Sequence, residues 1–377
     1  MNVLHICNAY QTNTLYQKLF KCLSDLGVHQ EVLAPGINDG EFIKDDVRVL
    51  LFKRNKNFLF RLLWPLKIFK LVSFAQENYK IDQFHLIHAH TLFSDGAVAY
   101  LLSKKHKGSY VVAVRNTDLN DYFPLPLFKQ LGYKILLNAS AVYLISEANK
   151  KQLGGLLPQK IKDKIWNKVF LLPNGIDEYW LSHIYNRQSH TYQSLNLIYA
   201  GDICENKNIH NVLEAIKLKD ICTIDSYEAI GLKETDQSEY VERIKTKDKQ
   251  TPAFHLNGRC NKEELLIKFR EANVYIQPSF TETFGLSYIE ALTQGLPVIY
   301  SKGQGIDGMF EDGEVGYSVD PNSPEDIINK LAMIRDRYEE ISRNIGNIDF
   351  QKFSWKEIAE DYYRNYKGIL SYINGSD

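Results

Sequence analysis

Val274-Tyr275-Ile276-Gln277-Pro278-Ser279-Phe280-Thr281-Glu282-Thr283-Phe284-Gly285-Leu286-Ser287-Tyr288-Ile289-Glu290-Ala291 is the most informative stretch of the 377-residue chain. Its first four residues read as a buried strand that Pro278 ends, because proline cannot donate to a ladder. A polar loop leads into a helix expected over Thr283–Thr293, and Gly295-Leu296-Pro297 turns the chain into a further strand, Pro297–Tyr300. Strand, loop, helix and strand in this order make the repeating unit of a parallel α/β sheet. Thr283 is the expected helix cap, and Gly285 permits close approach to the backbone. The N–H groups of Phe284, Gly285 and Leu286 would then face an anion such as a diphosphate. Glu282 precedes the helix and Glu290 lies about six residues inside it, roughly 9 Å further along the axis. That separation suits two carboxylates holding hydroxyls at two places on one elongated ligand, a ribose at one end and a sugar at the other.

The same alternation extends outward in both directions. In the first half the strand candidates are Val3–Cys7, His29–Leu33, Val47–Phe52, Leu86–Ala89, Tyr110–Val114, Ala141–Ile145 and Val169–Leu172. Helix-length segments at Thr14–Leu26, Phe58–Tyr79, Asp95–Lys105 and Leu125–Leu137 separate several of them. After the polar segment Asn174–Ser194, which opens on the turn Pro173-Asn174-Gly175, the series begins again. It runs through strand Leu197–Ala200, helix Ile209–Ile216 and strand Ala253–Leu256 to the stretch quoted above. The pattern predicts two doubly wound, Rossmann-like domains, residues 1–185 and 186–354. A terminal helical segment, residues 355–377, is expected to pack back toward the first domain. Ligands of open α/β sheets bind at the carboxyl ends of the strands, so the expected site lies in a cleft between the two domains. Architecture alone names no reaction.

Composition narrows the class further. At 44% hydrophobic and 24% charged residues the chain is an ordinary globular protein. Five scattered cysteines without a Cys-x-x-Cys pair argue for reduced thiols rather than a disulfide frame or a zinc site. The chain opens directly on a strand, and its longest apolar stretch, Phe58 to Phe74, is broken by Arg61, Pro65, Lys67 and Lys70; the expectation is a cytosolic protein. The net charge of −1 hides an asymmetry: residues 1–185 carry 23 Lys/Arg against 15 Asp/Glu, and the remainder carry 22 against 31. A basic first half favours anionic partners. No nucleic-acid recognition motif accompanies the charge.

With these residues in place, the chain resembles the retaining glycosyltransferases of family four, which have the GT-B fold. The resemblance rests on Glu282-x7-Glu290 with Phe284-Gly285, then Glu290-Ala291 and Gly295-x-Pro297-Val298. It runs over nearly the whole chain through His88-Ala89-His90, Ser146-Glu147, Pro173-Asn174-Gly175-Ile176-Asp177 and Asn257-Gly258-Arg259, which occur in the family's order. It implies a metal-independent, cofactor-free transferase that moves a sugar from a nucleotide-diphosphate donor to a hydroxyl with retention. The implied donor residues are Glu290 on the ribose, Glu282 on the sugar, and the Thr283–Leu286 backbone on the phosphates. Gly201 and Lys207 in Gly201-Asp202-Ile203-Cys204-Glu205-Asn206-Lys207 match the family's phosphate-binding segment, and a cation beside the diphosphate would stabilise it as it leaves. The family has an arginine where this chain has Asp202; Arg259 and Arg115 are the candidates to supply that charge.

The resemblance puts Arg115, Asp118 and His90 on the acceptor side. Arg115 stands where the family has a histidine and, being always protonated, is expected to bind an anion or position the acceptor rather than act as a base. Asp118 reads equally as a holder of an acceptor hydroxyl or as a helix cap. His85, His88 and His90 suggest a metal at first sight, but 88 and 90 share a strand face while 85 faces the other way, and no carboxylate motif completes a site.

Basic and apolar residues interleave through residues 53–74, from Lys53 and Arg54 through Phe58, Phe60, Trp64 and Lys67 to Phe69 and Lys70. Such a mixture suits the inner face of an anionic membrane, and equally a core helix with basic flanks. A bacterial surface glycan or lipid-linked glycan is the acceptor class that follows. The competing readings are a non-catalytic GT-B subunit that binds a partner or membrane, and another enzyme class on the same architecture, such as a sugar-nucleotide epimerase.

Overall fold

The computed structural model describes residues 1–53, 64–187 and 191–374, which form two compact units. The first comprises residues 1–145, 149–175 and 353–377, and the second residues 146–148 and 176–352. Each is built on one sheet, as the strand–helix alternation requires.

Eight strands make the first sheet: β1 (Asn2–Ile6), β2 (His29–Gly36), β3 (Gly40–Lys44), β4 (Val47–Lys53), β5 (Leu86–Ala89), β6 (Tyr110–Ala113), β7 (Ala141–Leu144) and β8 (Val169–Leu171). Their order is β3-β4-β2-β1-β5-β6-β7-β8. All pairs are parallel except β3 with β4. The short apolar runs of β5, β6 and β7 are buried along their whole length, as strands covered on both faces must be. One face packs Leu71, Ala97, Leu102 and Ile135 from the crossover helices, and the other packs Leu19, Phe20, Ile358 and Tyr362. The last two belong to the terminal helix, Trp355–Asn374, which lies beside the helix Thr14–Asp25. The terminal segment thus completes the second face of the first unit's core.

The second sheet holds β9 (Leu195–Ala200), β10 (Ile224–Leu232), β11 (Phe254–Gly258), β12 (Val274–Gln277), β13 (Val298–Ser301) and β14 (Gly316–Val319) in the order β11-β10-β9-β12-β13-β14. All its pairings are parallel. The chain winds outward from β9 through β10 to β11, then returns to β12 and winds the other way. The strand order therefore reverses between β9 and β12, the place where doubly wound sheets open a crevice at their carboxyl ends. The first sheet reverses in the same way between β1 and β5.

Two expectations differ from the structure. The domain boundary falls at Gly175–Ile176 rather than after residue 185, because Trp180 stacks on Phe269 at 5.5 Å and the Tyr185 N–H bonds the Thr293 carbonyl. The strands β3, β10 and β14 were not anticipated. Within β10, Asp225, Ser226 and Glu228 interrupt the apolar run that would have announced it. Of the helix expected over Phe58–Tyr79, the part Trp64–Asn78 is described as helix, and the expected start falls within residues 54–63, which lie outside the described residues. No helix among the described residues is long and apolar enough to cross a membrane.

Candidate active site

In the second unit, the loops after β9 and β12 meet across the reversal point. Lys207, in a short 3-10 turn after β9, places its ammonium 2.6 Å from Glu282 Oε2. The Gln277 side-chain amide donates to the same oxygen at 2.6 Å, while the other carboxylate oxygen accepts the Thr283 N–H at 3.0 Å. Gln277 is fixed in turn, since its Oε1 accepts from the Tyr275 and Ser287 hydroxyls. From the far side, Gln304 Oε1 accepts the Glu282 N–H at 3.0 Å and the Gly305 N–H donates to the Glu282 carbonyl at 3.1 Å. Asn206 completes the clasp by donating to the Thr281 carbonyl and accepting from the Thr281 N–H and hydroxyl. With both ends of its loop bonded, Glu282 is held in place before any ligand arrives.

The helix that follows is Leu286–Thr293, three residues shorter at its start than expected. Thr283 does not cap it. Gly285 occupies the cap position at φ +76°, where a Cβ would lie 2.4 Å from the Tyr288 ring. The Tyr288 hydroxyl is bonded to the Gln277 carbonyl, so the ring cannot yield easily. Phe284 is buried and anchors the turn, and its backbone, with Gly285 and Leu286, forms the head of the helix. Glu290 is the fifth helical residue and is half-buried. Burial pushes the Tyr275 phenol up, against the Ser287 hydrogen bond, and the charges of Glu282 and Glu290 both add to that push.

Gly201 ends β9, with its N–H on the Ile230 carbonyl. Asp202, beside it, is engaged by Arg259 at 2.6 Å and by Lys233 at 3.1 Å. Arg259 thus stands in the same neighbourhood as Asp202, and Lys233 joins it unannounced by any motif. Gln304 and Asn206 were missed for the same reason, each acting through a contact distant in sequence, while Gln277, five residues before Glu282, reads in sequence only as the last residue of a strand.

The acceptor-side residues lie at the carboxyl edge of the first sheet, in roles that differ from expectation. His90 is completely buried, with Nε2 3.0 Å from His5 Nδ1 and its ring against Tyr16 and Phe20. It faces the core because it continues the inward face that His88 occupies on β5. Asp118 is 1% exposed and accepts the N–H groups of Leu92, Phe93 and Arg115. It neither caps a helix with its side chain nor opens to an acceptor; it ties the ends of β5 and β6 together. Burial raises its carboxyl to about 6 against those three donors. Asp95, bonded to Asn8 at the end of β1, is buried as well and is raised to about 7, again chiefly by burial. Arg115 is half-buried, its Nε donating to the His90 carbonyl at 3.2 Å. Burial opposes its charge, but Tyr16, Tyr362 and Asp118 outweigh it and keep it cationic.

His85 is exposed and accepts the Asn2 N–H through Nδ1. The third member of the histidine group is instead His5, whose β1 position pairs in register with His88 on β5. One donor atom from each of His5, His88 and His90 lies within 4.8 Å of the others, and among the described residues this is the one group close enough to hold a metal. Its chemistry favours neutral packing: burial pushes His5 down to about 3 and His88 and His90 well below the ordinary range, with Arg115 adding to the push on the last two. A dication there would face that arginine with no carboxylate or thiolate ligand in the group.

Comparison with known proteins also gives two matches, one to each half of the chain. Residues 13–179 match the family model "Glycosyltransferase Family 4", and residues 187–348 match "Glycosyl transferases group 1". An uncharacterized glycosyltransferase of Methanocaldococcus jannaschii is 23% identical over 92% of this chain and 95% of its own length. The alpha-monoglucosyldiacylglycerol synthase of Acholeplasma laidlawii is 24% identical over 79% of this chain and 78% of its own. Among solved structures, Anabaena HepE in complex with UDP superposes with a TM-score of 0.71 at 15% identity, covering 98% of this chain and all of that one.

Proposed function

The chain is a nucleotide-sugar-dependent glycosyltransferase on a GT-B fold, and from that premise we propose that it is a retaining enzyme whose donor site is the Lys207–Glu282–Glu290 constellation of the second unit. The observation that carries this reading is the Lys207–Glu282 pair bridging the loops after β9 and β12 at the point of strand reversal. The head of helix Leu286–Thr293, behind it, offers its first N–H groups to the phosphates. Glu290 holds the ribose hydroxyls, and Glu282 holds the donor sugar. On binding, Lys207 exchanges Glu282 for the diphosphate, so that its charge lies where the leaving group develops negative charge. The acceptor hydroxyl attacks from the face that the nucleotide leaves. None of these steps requires a metal or a further cofactor.

The test is a thermal-shift screen against UDP-, GDP- and ADP-sugars with Glu290→Ala beside the wild type. A ligand at a hundred times its dissociation constant adds about 2.7 kcal/mol of stability. One nucleotide class should raise the melting temperature and the variant should lose the response. No response to any class would end the donor-site assignment.

For the acceptor we propose a lipid-linked or surface glycan met at an anionic membrane. Anabaena HepE binds UDP and the Acholeplasma relative makes a glycolipid, which supports the two substrate classes. Part of the expected membrane segment is core: Ile68, Leu71 and Ala75 are buried. The opposite face of the same helix leaves Leu66 and Phe69 more than half exposed beside Lys70. Trp64, one turn before Ile68 on the core side of this helix, meets Phe128 at 5.0 Å, and Leu127, beside Phe128 in sequence, is 88% exposed. Leu66 and Phe69 beside Lys70 give this helix an outward face of apolar and basic side chains, the mixture that suits an anionic membrane surface. Liposome flotation checks the assignment: binding should require anionic lipid and weaken in Leu127→Ser/Phe69→Ser, and equal recovery without liposomes would refute it.

A further inference from the structure

Asp202 is the residue that least fits a phosphate-binding loop, because a carboxylate repels the ligand. Its surroundings reverse that expectation. Arg259 Nη2 and Lys233 Nζ both converge on one of its oxygens, Oδ1, at 2.6 and 3.1 Å. Burial pushes the Asp202 carboxyl up, but the bonds from Lys233 and Arg259 outweigh it and hold the group below the usual carboxylate range, so it is ionised at neutral pH. The three residues follow β9, β10 and β11 respectively, which are neighbours in the sheet. They therefore form a row along its carboxyl edge, leading away from the point where Lys207 meets Glu282.

The backbone beneath is fixed. The Tyr199 hydroxyl donates to the Asp202 carbonyl at 2.8 Å, and the Gly201 N–H bonds the Ile230 carbonyl at 2.9 Å. Gly231, at φ +133°, lies so close that a Cβ would stand 1.9 Å from the Gly201 carbonyl oxygen. The ends of β9 and β10 are locked together, and the charged side chains stand on a rigid base.

The balance of charge is one carboxylate against two cations. Arginine has five N–H donors and lysine three, so each cation spends one on Asp202 and keeps the rest. All three side chains are between 43% and 60% exposed, which leaves the remaining donors open to a ligand. Long basic side chains on a surface otherwise sample many rotamers, and ordering them on ligand binding costs affinity.

We propose that Asp202 is a positioning residue that holds Arg259 and Lys233 as a paired cation subsite for the phosphates of the nucleotide. The proposal rests on the donor-site assignment above and replaces a single arginine directly after Gly201 with two cations drawn from neighbouring strand ends. It makes the carboxylate an organiser of the anion site.

Isothermal titration with UDP, GDP and ADP tests it, using the wild type, Asp202→Asn, Asp202→Glu, Arg259→Ala/Lys233→Ala, the triple variant and Glu290→Ala. Exposed pairs of this kind are individually weak. Asp202→Asn should therefore weaken binding of the preferred diphosphate by about 2- to 5-fold, with its melting temperature unchanged and Asp202→Glu restoring part of the loss. The double variant should lose roughly tenfold or more, since it removes two charge-assisted contacts. Adding Asp202→Asn to the double variant should cost nothing more, because residues acting through one another are not additive. Tighter binding by Asp202→Asn, or a further loss when Asp202→Asn is added to the double variant, would overturn the proposal. If Glu290→Ala abolishes binding while Asp202→Asn and the double variant match the wild type, this inference alone fails. If the wild type binds none of the three, the donor-site assignment fails first.

Discussion

Lys207 and Glu282 lie on the loops that follow β9 and β12, the adjacent strands between which the second sheet reverses direction, and their charged atoms are 2.6 Å apart. Their side chains are only 21% and 13% exposed, so the pair is more than a surface contact. Glu282 also keeps the Gln277 amide when Lys207 leaves it. Glu282 is thus held by more than the lysine, which accords with the proposed exchange in which Lys207 moves to the diphosphate and Glu282 stays to hold the sugar.

Lys207→Ala should lower kcat by about 10²- to 10³-fold, the usual cost of removing one preorganised group that stabilises developing charge. Its effect on stability should stay near 1–2 kcal/mol, because Glu282 retains a hydrogen-bond donor. Steady-state kinetics with urea unfolding checks both. A rise in KM with kcat unchanged would mean that Lys207 binds the ground state and the transition state equally.

Gly285→Ala probes the head of the helix. The residue is left-handed and its new methyl would press on the Tyr288 ring at 2.4 Å. Strain and contact together should cost about 2–4 kcal/mol in urea unfolding and remove nucleotide binding. A variant within 0.5 kcal/mol of the wild type, the range of ordinary surface changes, would show that the backbone there is freer than its geometry implies.

The alternation of strands and helices was legible in the sequence because both sheets are parallel and covered, so β5, β6, β7, β12 and β13 appear as short apolar runs. β10 was hidden because polar side chains interrupt it, one of which, Glu228, is ion-paired to Lys268. Of the proposed donor site, Glu282, Glu290 and Lys207 stand out through spacing and motif, which are local properties. Asp202 was read as a lost cation because its partners, Lys233 and Arg259, are brought to it only by strand order. The burial of His90, expected on the acceptor side, was not legible because a strand-end motif does not reveal that helix Trp355–Asn374 covers that face; the Tyr366 hydroxyl on this helix lies 2.6 Å from His88 Nδ1.

The buried carboxyl of Asp95 gives a pH signature. Its folded pKa, about 7, lies above that of an unfolded aspartate, near 3.9. Its contribution is therefore fully present below about pH 4 and is lost as pH rises toward and through 7. Asp95→Asn keeps an acceptor for Asn8 and removes the titration. The variant should gain stability relative to the wild type between pH 4 and 7.5, measured by urea unfolding at each pH. Parallel profiles would show that Asp95 is not held protonated by its burial.

The histidine group titrates with the opposite sign. His5, His88 and His90 have depressed folded pKa values, so the stability they contribute is present above about pH 6.5 and is lost as pH falls toward 3. A metal on the same nitrogens would change this behaviour, since ligands must be deprotonated and binding stabilises the fold. Unfolding curves taken from pH 7.5 to 4 with added Zn²⁺, and again with a chelator, separate the two cases. For neutral core imidazoles the curves should coincide at every pH, and activity should survive the chelator. A zinc-dependent rise in melting temperature that His88→Gln abolishes would instead make the cluster a metal site. Coincident curves would leave Arg115, bonded to the His90 carbonyl at 3.2 Å, as the cation that fixes this edge of the first sheet.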